Sequence, residues 1–415
     1  MRVVMLSWEY PPRSVGGLAQ HVYDLTTAQA QIGEEVHVLT CGLDGIPSYE
    51  MVNGVHVHRV NAYHISAPGF VTWVAQLNMA MLERAIPLLN ELGSVHILHA
   101  HDWLVAYAAR VIKHAYRLPL VATIHATEYG RNHGLHNDLQ RHISDIEWWL
   151  TYEAWRVICC SHYMKNEVRH VFQVPEDKIE IIVNGVNPAN FAVRSMRVSR
   201  DQYAAPDEQI VFYVGRLVQE KGVQVLLDAA PEILARHPKT KFVIAGKGPF
   251  AEELHRRAAA LGIAHRVYFT GYIDDEVRNS LYSWADVAVF PSLYEPFGIV
   301  ALEGMAARTP VVVADTGGLS EIVEHGVNGL KFYPGNSHSL ADMVVWLLKD
   351  RQLAQSLRQR AFRQVQEQFN WRDIALHTRQ VYQEVWQAYR RANWYGPDVR
   401  MNGLFNRVTK IFARA

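Results

Sequence analysis

The sequence predicts an α/β protein made of two doubly wound domains facing each other across a cleft. Three observations carry this expectation. Short β-branched runs alternate with amphipathic helical stretches through both halves, the pattern of parallel sheets covered by helices. Each half carries a glycine pair where a strand passes into a helix, Gly16-Gly17 in the first and Gly317-Gly318 in the second. Between them, residues 192–208 show no apolar periodicity and read as a linker. A first domain is therefore expected over 1–195 and a second from 208 onward.

Composition bounds the function classes. A chain of 415 residues is long enough for two domains of ~200 residues each. Its 49% hydrophobic and 20% charged residues are ordinary globular values. Lys+Arg and Asp+Glu balance at 41 each, so no field of one sign points to nucleic acid or to an anionic membrane. Three cysteines, Cys41 and the adjacent Cys159 and Cys160, make no disulfide framework and suit a reducing cytoplasm. The apolar run Val3-Val4-Met5-Leu6 is too short for a signal peptide or membrane span, so a cytoplasmic location is expected. Histidines are numerous, 21 in all, and crowd at His96, His99 and His101 and again at His133, His136 and His142. Neither a Cys-x2-Cys nor a His-Glu-x-x-His accompanies them. They read as solvated or core histidines, and no metal site is expected.

Taken in order, Arg2–Ser7 is a first strand, followed by a loop, Gly16-Gly17-Leu18, and a helix from Ala19 to about Ile32. A strand, a glycine pair and a helix start present free backbone N–H groups, an arrangement suited to an anion. Strands follow at 35–40 and 54–60, then a long helix over 72–92. The strand over 95–100 runs into His101-Asp102-Trp103, which puts Asp102 at a carboxyl end where ligands bind in such sheets. Asp102 can contact a ligand, cap the next helix, or do both. The strand over 119–124 ends at His125, and the sheet closes with 157–160 and 179–183 before the turn at Asn184-Gly185. Trp148, Trp149 and Trp155 read as helix core.

In the second half, the strand 210–214 opens onto Gly215-Arg216-Leu217-Val218-Gln219-Glu220-Lys221-Gly222. Two cations leaving one strand-to-helix turn suit a diphosphate, Arg216 as a fork and Lys221 as a point charge. After strands at 241–245 and 267–270, Gly271-Tyr272-Ile273-Asp274-Asp275 forms a loop whose Asp274 or Asp275 can cap a helix. The strand 285–290 leads to Tyr294-Glu295-Pro296-Phe297-Gly298 and then to a helix carrying Glu303. Eight residues at ~1.5 Å each set Glu295 and Glu303 roughly 12 Å apart along the axis. That exceeds the ~5–9.5 Å separation of glycosidase carboxylate pairs and suits two parts of one extended ligand. Thr316-Gly317-Gly318 follows the strand 310–314, and 339–389 is helical. At the carboxyl end, Leu404, Phe405, Val408, Ile411 and Phe412 share a helical face beside Arg407, Lys410 and Arg414. Docking on the first domain is the expected fate of this tail, with an interfacial membrane helix as the alternative.

These motifs resemble retaining glycosyltransferases of family 4, which have the two-domain GT-B architecture, and within that group the glycogen and starch synthases. The most specific parts are Gly-Arg-Leu-x-x-x-Lys-Gly at 215–222 and Glu-x7-Glu at 295–303; the resemblance covers nearly the whole chain. It implies a nucleotide-sugar-binding second domain over 208–372, an acceptor-side first domain, and a chain that crosses back at Phe369-Asn370-Trp371-Arg372 so that 373–415 lie on the first domain. It implies that Glu295 contacts the transferred sugar, Glu303 the ribose, and His125 the hexose at the reacting carbon. Arg216 and Lys221 would stabilise the leaving diphosphate. Gly16, Gly17, Asp102, Asn184, Tyr272, Phe297, Gly298, Thr316, Gly317 and Gly318 would complete the donor cleft, with the Tyr272 loop edging the base through backbone atoms.

Two departures bear on specificity. Ser14 stands where glycogen synthases carry a lysine before the first glycine pair, and Glu303 stands where the bacterial ones carry a tyrosine. The implied activity is glucose transfer from ADP-glucose or UDP-glucose to the end of an α-1,4-glucan, with no cofactor required. The alternatives are a family 4 enzyme with a lipid or small-molecule acceptor, a nonhydrolysing epimerase of the same fold, and a catalytically idle glucan-binding partner.

Overall fold

The structure is a computed structural model that describes residues 1–63, 65–192, 196–392 and 394. The first sheet contains β1 (Arg2–Leu6), β2 (Glu35–Cys41), β3 (Tyr49–Val52), β4 (Val55–Val60), β5 (Ile97–His101), β6 (Leu120–Ile124), β7 (Arg156–Cys159) and β8 (Ile179–Ile181), in the order β3-β4-β2-β1-β5-β6-β7-β8. The second contains β9 (Gln209–Val214), β10 (Thr240–Ala245), β11 (Val267–Gly271), β12 (Val287–Phe290), β13 (Val311–Ala314) and β14 (Leu330–Phe332), in the order β11-β10-β9-β12-β13-β14. All neighbouring strands pair in parallel except β3 with β4.

The first sheet is covered by α1 (Gly17–Gln31), α2 (Phe70–Leu92), α3 (Ala106–Tyr116), α4 (Glu128–Asn132), α5 (Asp138–Glu153) and α6 (His162–Phe172). The second carries α7 (Val223–Arg236), α8 (Ala251–Ala260), α9 (Asp275–Trp284), α10 (Ile299–Ala306), α11 (Leu319–Ile322), α12 (Ser337–Lys349) and α13 (Arg351–Gln368). The last helix, α14 (Trp371–Arg391), packs on α1, and its Tyr382 hydroxyl meets His99 Nδ1 at 2.6 Å in the first sheet.

Strand order explains where a ligand belongs. In each sheet the chain winds outward on one side of the first strand, then returns to that strand's other side. The winding reverses between β1 and β5 and again between β9 and β12, and the carboxyl ends of such strands frame a crevice. The loops leaving those four strands are the ones bearing Gly16-Gly17, Asp102, Arg216 with Lys221, and Glu295. Central strands are buried on both faces, Val3–Leu6 and Val287–Phe290 among them, which is why they read as unbroken apolar runs.

Several elements differ from expectation. β3 forms a hairpin with β4 through Asn53 and Gly54, both at positive φ (49° and 84°), the two-residue turn that an Asn-Gly pair favours. Its alternation is half exposed, so it carries little apolar signal. The three-residue β14 is too short to announce itself. The linker is ordered in part: 3₁₀ turns occupy Pro188–Ala192 and Arg200–Gln202, and buried Tyr203 packs on the rings of Tyr268 and Trp284. Trp148 is not core; it is exposed and stacked on exposed Tyr152, while Trp149 packs edge-on to Tyr107 and Trp155 against Tyr389. The carboxyl-terminal apolar face at Leu404–Phe412 lies outside the described residues. Among the described residues, no helix is long and apolar enough to cross a membrane.

Candidate active site

On the second-domain side, β12 ends at Phe290 and the chain turns through Pro291 and Ser292 to Glu295, which is buried. Its Oε2 accepts a hydrogen bond from Lys221 Nζ at 2.7 Å and one from Ser292 Oγ at 3.0 Å. Lys221 reaches it from the turn after β9. That turn can approach because Gly222 sits at φ 69° with no side chain; a Cβ there would lie 1.8 Å from the Pro291 carbonyl oxygen. Arg216, on the same turn, donates to Glu220 Oε1 at 3.1 Å. Both cations expected to suit a diphosphate hold a carboxylate here, and Lys221 holds Glu295, the one the resemblance gives to the sugar.

The second glycine pair braces this loop. The Gly318 amide donates to the Glu295 carbonyl at 2.9 Å, so it is engaged by protein instead of being open to a phosphate. A Cβ on Gly317 would lie 2.0 Å from the Glu295 carbonyl oxygen, and one on Gly318 2.3 Å from the Phe297 Cα. Thr316, Gly317 and Gly318 therefore set the position of Glu295, Pro296 and Phe297. Gly298, at φ 107°, opens α10. Glu303, further along α10, accepts from the Tyr282 hydroxyl at 3.3 Å and pairs with Arg278 at 3.6 Å. Across the cleft, Asp24 of α1 has its carboxyl pushed up to about 6, chiefly by burial and further by the charge of Glu303. Tyr272 is exposed, with Lys247 5.8 Å from its ring. Of its two neighbouring acids, Asp274 caps α9 by accepting from the Val277 amide at 2.9 Å.

The first-domain side holds a residue that the sequence reading passed over. Buried Glu9 places its Oε2 against the amides of Val15 (2.5 Å) and Gly16 (3.1 Å). The loop before α1 does select an anion, and in this structure the anion is the protein's own carboxylate. Burial raises the Glu9 carboxyl above its ordinary range, and those two amides oppose the shift. No regular spacing links position 9 to 16, so the contact has no sequence signal. Gly17 lies under Ile299 of α10, whose Cδ1 would be 3.2 Å from a Cβ there.

Asp102 stands at φ 58°, a left-handed conformation costly for a non-glycine residue. Its side chain does not cap the following turn; Oδ1 accepts from the His125 amide at 2.7 Å. Burial pushes its carboxyl up to about 6, against the pull of Arg131 and the amides of His125 and Ala126. Asp102 thus holds the backbone that carries His125. Burial first, and Arg131 second, hold the His125 imidazole down at about 3, so it is neutral at physiological pH. Its Nε2 lies 3.1 Å from His101 Nδ1. Asn184, buried in the turn after the first sheet, neighbours His21.

The two sides meet directly. Tyr294, one residue before Glu295, donates its hydroxyl hydrogen to Glu167 Oε1 at 2.8 Å and lies 3.5 Å from the Thr127 amide, two residues after His125. Thr127 Oγ1 donates to the same Glu167 oxygen at 2.5 Å. Ser161 Oγ donates to the Pro296 carbonyl at 2.6 Å, and Glu321 accepts from the amides of His162 and Tyr163 at the start of α6. The loops bearing His125 and Glu295 are thereby pinned side by side.

Known proteins agree with this architecture. The family Glycosyltransferase Family 4 matches residues 15–190, and Glycosyl transferases group 1 matches residues 196–364. An uncharacterized glycosyltransferase of Methanocaldococcus jannaschii is 42% identical over 389 residues, 92% of this chain and 98% of that protein. A glycogen synthase of Mycobacterium tuberculosis is 38% identical over 399 residues, 92% of this chain and 94% of that one. The sucrose-phosphate synthase structure from Thermosynechococcus elongatus superposes with a TM-score of 0.81 at 26% identity, covering 94% of this chain and 100% of that one. This chain is a group 1, family 4 glycosyltransferase of GT-B architecture, resembling the glycogen synthases.

Proposed function

We propose that the enzyme is a retaining hexosyltransferase that moves glucose from ADP-glucose or UDP-glucose to the end of an α-1,4-glucan. The observation that carries this reading is the pinning of the His125 loop beside the Glu295 loop, with Lys221 on Glu295. A sugar placed between these loops would have its reacting carbon near His125 and its hydroxyls near Glu295. The diphosphate would lie toward Arg216 and Lys221, and the ribose toward Glu303. Gly16, Gly17 and the Thr316-Gly317-Gly318 loop shape the walls, while the Tyr272 loop borders the base.

In the reaction, the bond between the anomeric carbon and the diphosphate oxygen breaks, and the electron pair leaves with the diphosphate. Arg216 and Lys221 stabilise that developing charge, which is where fixed cations accelerate a reaction most. The acceptor hydroxyl attacks from the same face, and its proton passes to the departing phosphate oxygen. A neutral His125 offers a hydrogen bond to the sugar without placing a cation beside the oxocarbenium-like centre. Similarity to the glycogen synthase supports the glucan acceptor.

The direct test is release of nucleoside diphosphate from ADP-, UDP- and GDP-glucose by the purified protein, with and without malto-oligosaccharide. Release from ADP- or UDP-glucose should rise steeply when the oligosaccharide is present. Release that ignores the oligosaccharide would sink the glucan assignment.

A further inference from the structure

Of the histidines that crowd in the sequence, the fold keeps His99 and His101 together and adds two distant ones, His21 and His125. Parallel pairing sets β5 beside β6, which brings His101 next to His125, and α1 lays His21 over both. One nitrogen from each of these three imidazoles lies within 4.8 Å of the others. His99, the fourth in the stack, is spoken for: Nδ1 meets Tyr382 and Nε2 meets Thr123 Oγ1 at 2.7 Å. Neither nitrogen of His21, nor the Nε2 of His101, is in a well-formed hydrogen bond among the described residues, although the Asn184 side chain, whose amide oxygen is buried and likewise lacks one, stands close enough to His21 to oppose the lowering of its pKa by burial.

Buried imidazole nitrogens without partners are costly. Burial also holds His21, His101 and His125 below their ordinary range, leaving the neutral form that binds metals. Three neutral nitrogens with no carboxylate among them suit a borderline-soft divalent ion such as Zn²⁺, whereas Mg²⁺ and Ca²⁺ want oxygens.

We infer that His21, His101 and His125 form a binding site for a zinc-class transition metal, whose occupancy blocks the cleft. Zn–N bonds of ~2.0–2.1 Å put tetrahedral ligand nitrogens about 3.4 Å apart. The His101–His125 pair, at 3.1 Å, already stands near that spacing; with all three nitrogens within 4.8 Å of one another, His21 has to close in by at most about 1.4 Å, within reach of a side-chain rotation. Binding replaces the hydrogen bond between His101 and His125, and the ring that donated it carries its proton on its other nitrogen. The inhibitory part rests on the transfer reaction proposed above, because it takes His125 out of use; the site itself does not.

The test uses the full-length protein, stripped with chelator and titrated with Co²⁺ alone, followed by its visible ligand-field absorption, with Zn²⁺ as competitor. Absorption should saturate at one equivalent and be displaced by Zn²⁺. His21→Gln should weaken binding by at least ~10²-fold, since even outer-shell partners cost 10–100-fold. His142→Gln and His170→Gln, at exposed positions, should leave it unchanged and show that surface histidines are not the ligands. No saturable binding at one equivalent, or an unaltered affinity in His21→Gln, overturns the site. In the diphosphate-release assay, Zn²⁺ at filling concentrations should stop the wild type and spare His21→Gln. Undiminished turnover at full occupancy would overturn the blocking role while leaving the binding result in place.

Discussion

Lys221 Nζ lies 2.7 Å from Glu295 Oε2, joining two residues 74 positions apart on the loops that leave β9 and β12. Those strands are neighbours at the point where the second sheet reverses its winding, so the ion pair lies at the crevice framed by their carboxyl ends. A diphosphate would compete with Glu295 for the lysine, and the freed carboxylate would then face the sugar. In the proposed reaction, donor binding and sugar contact would be coupled through this one hydrogen bond.

This coupling separates the roles of four residues. Arg216→Ala and Lys221→Ala should each lower turnover ~10²–10³-fold, the scale of losing one group that stabilises transition-state charge. Glu295→Ala should harm transfer more than binding of free nucleoside diphosphate, and Glu303→Ala should mainly weaken that binding. Calorimetry with the free diphosphate decides it. Equal losses of affinity in both glutamate variants would contradict the division.

Glu9→Ala should destabilise the fold by about 1–3 kcal/mol, because the Val15 and Gly16 amides lose their buried acceptor. Urea unfolding measures this. A midpoint equal to the wild type would mean that another group satisfies those amides.

Gly222→Ala tests the packing of the two donor loops. The new Cβ would meet the Pro291 carbonyl and a positive φ together, so a loss of at least ~1–3 kcal/mol is expected. The variant should also lose the Lys221–Glu295 pairing and its turnover. Stability and activity equal to the wild type would show that the turn after β9 is not held against β12 in this way.

Acid should unfold the protein through its neutral histidines. His21 is held well below its ordinary value, chiefly by burial and then by His125. Below pH ~6.5 the unfolded chain therefore binds a proton there that the folded chain does not, and stability falls as pH falls. Asp102, raised to about 6, acts the other way between pH ~6 and ~4, so the comparison has to be made against a single variant. In chelator, urea unfolding at pH 7, 6 and 5 should show a shallower loss for His21→Gln, by about 0.7 kcal/mol between pH 7 and 6 and about 1.2 kcal/mol between pH 6 and 5. Parallel curves for the two proteins would refute the buried neutral state of His21.

Much of this was readable in advance. Strand and helix order and the switch-point loops follow from apolar runs punctuated by glycine, because buried parallel strands must be apolar, whereas the roles of the motif residues come from the family resemblance. What escaped depends on distances no periodicity encodes. Glu9 meets Gly16 only because the loop folds back on itself, and Glu321 meets α6 only because the two halves are docked. The histidines misled for the same reason: His99 and His101 lie two residues apart and their rings do pack together, yet the hydrogen-bond partner of His101 is His125, one strand over. Trp148 looked like core because an aromatic residue on a helix usually is, and here its partner is another exposed ring.

The central claim is retaining transfer of glucose onto a glucan, and the anomeric proton signal of the product tests it most directly. With ADP- or UDP-glucose and a malto-oligosaccharide, proton NMR should show the chain growing one residue at a time with a new α-1,4 linkage. A β linkage would contradict the mechanism; no elongation with either donor would contradict the assigned acceptor.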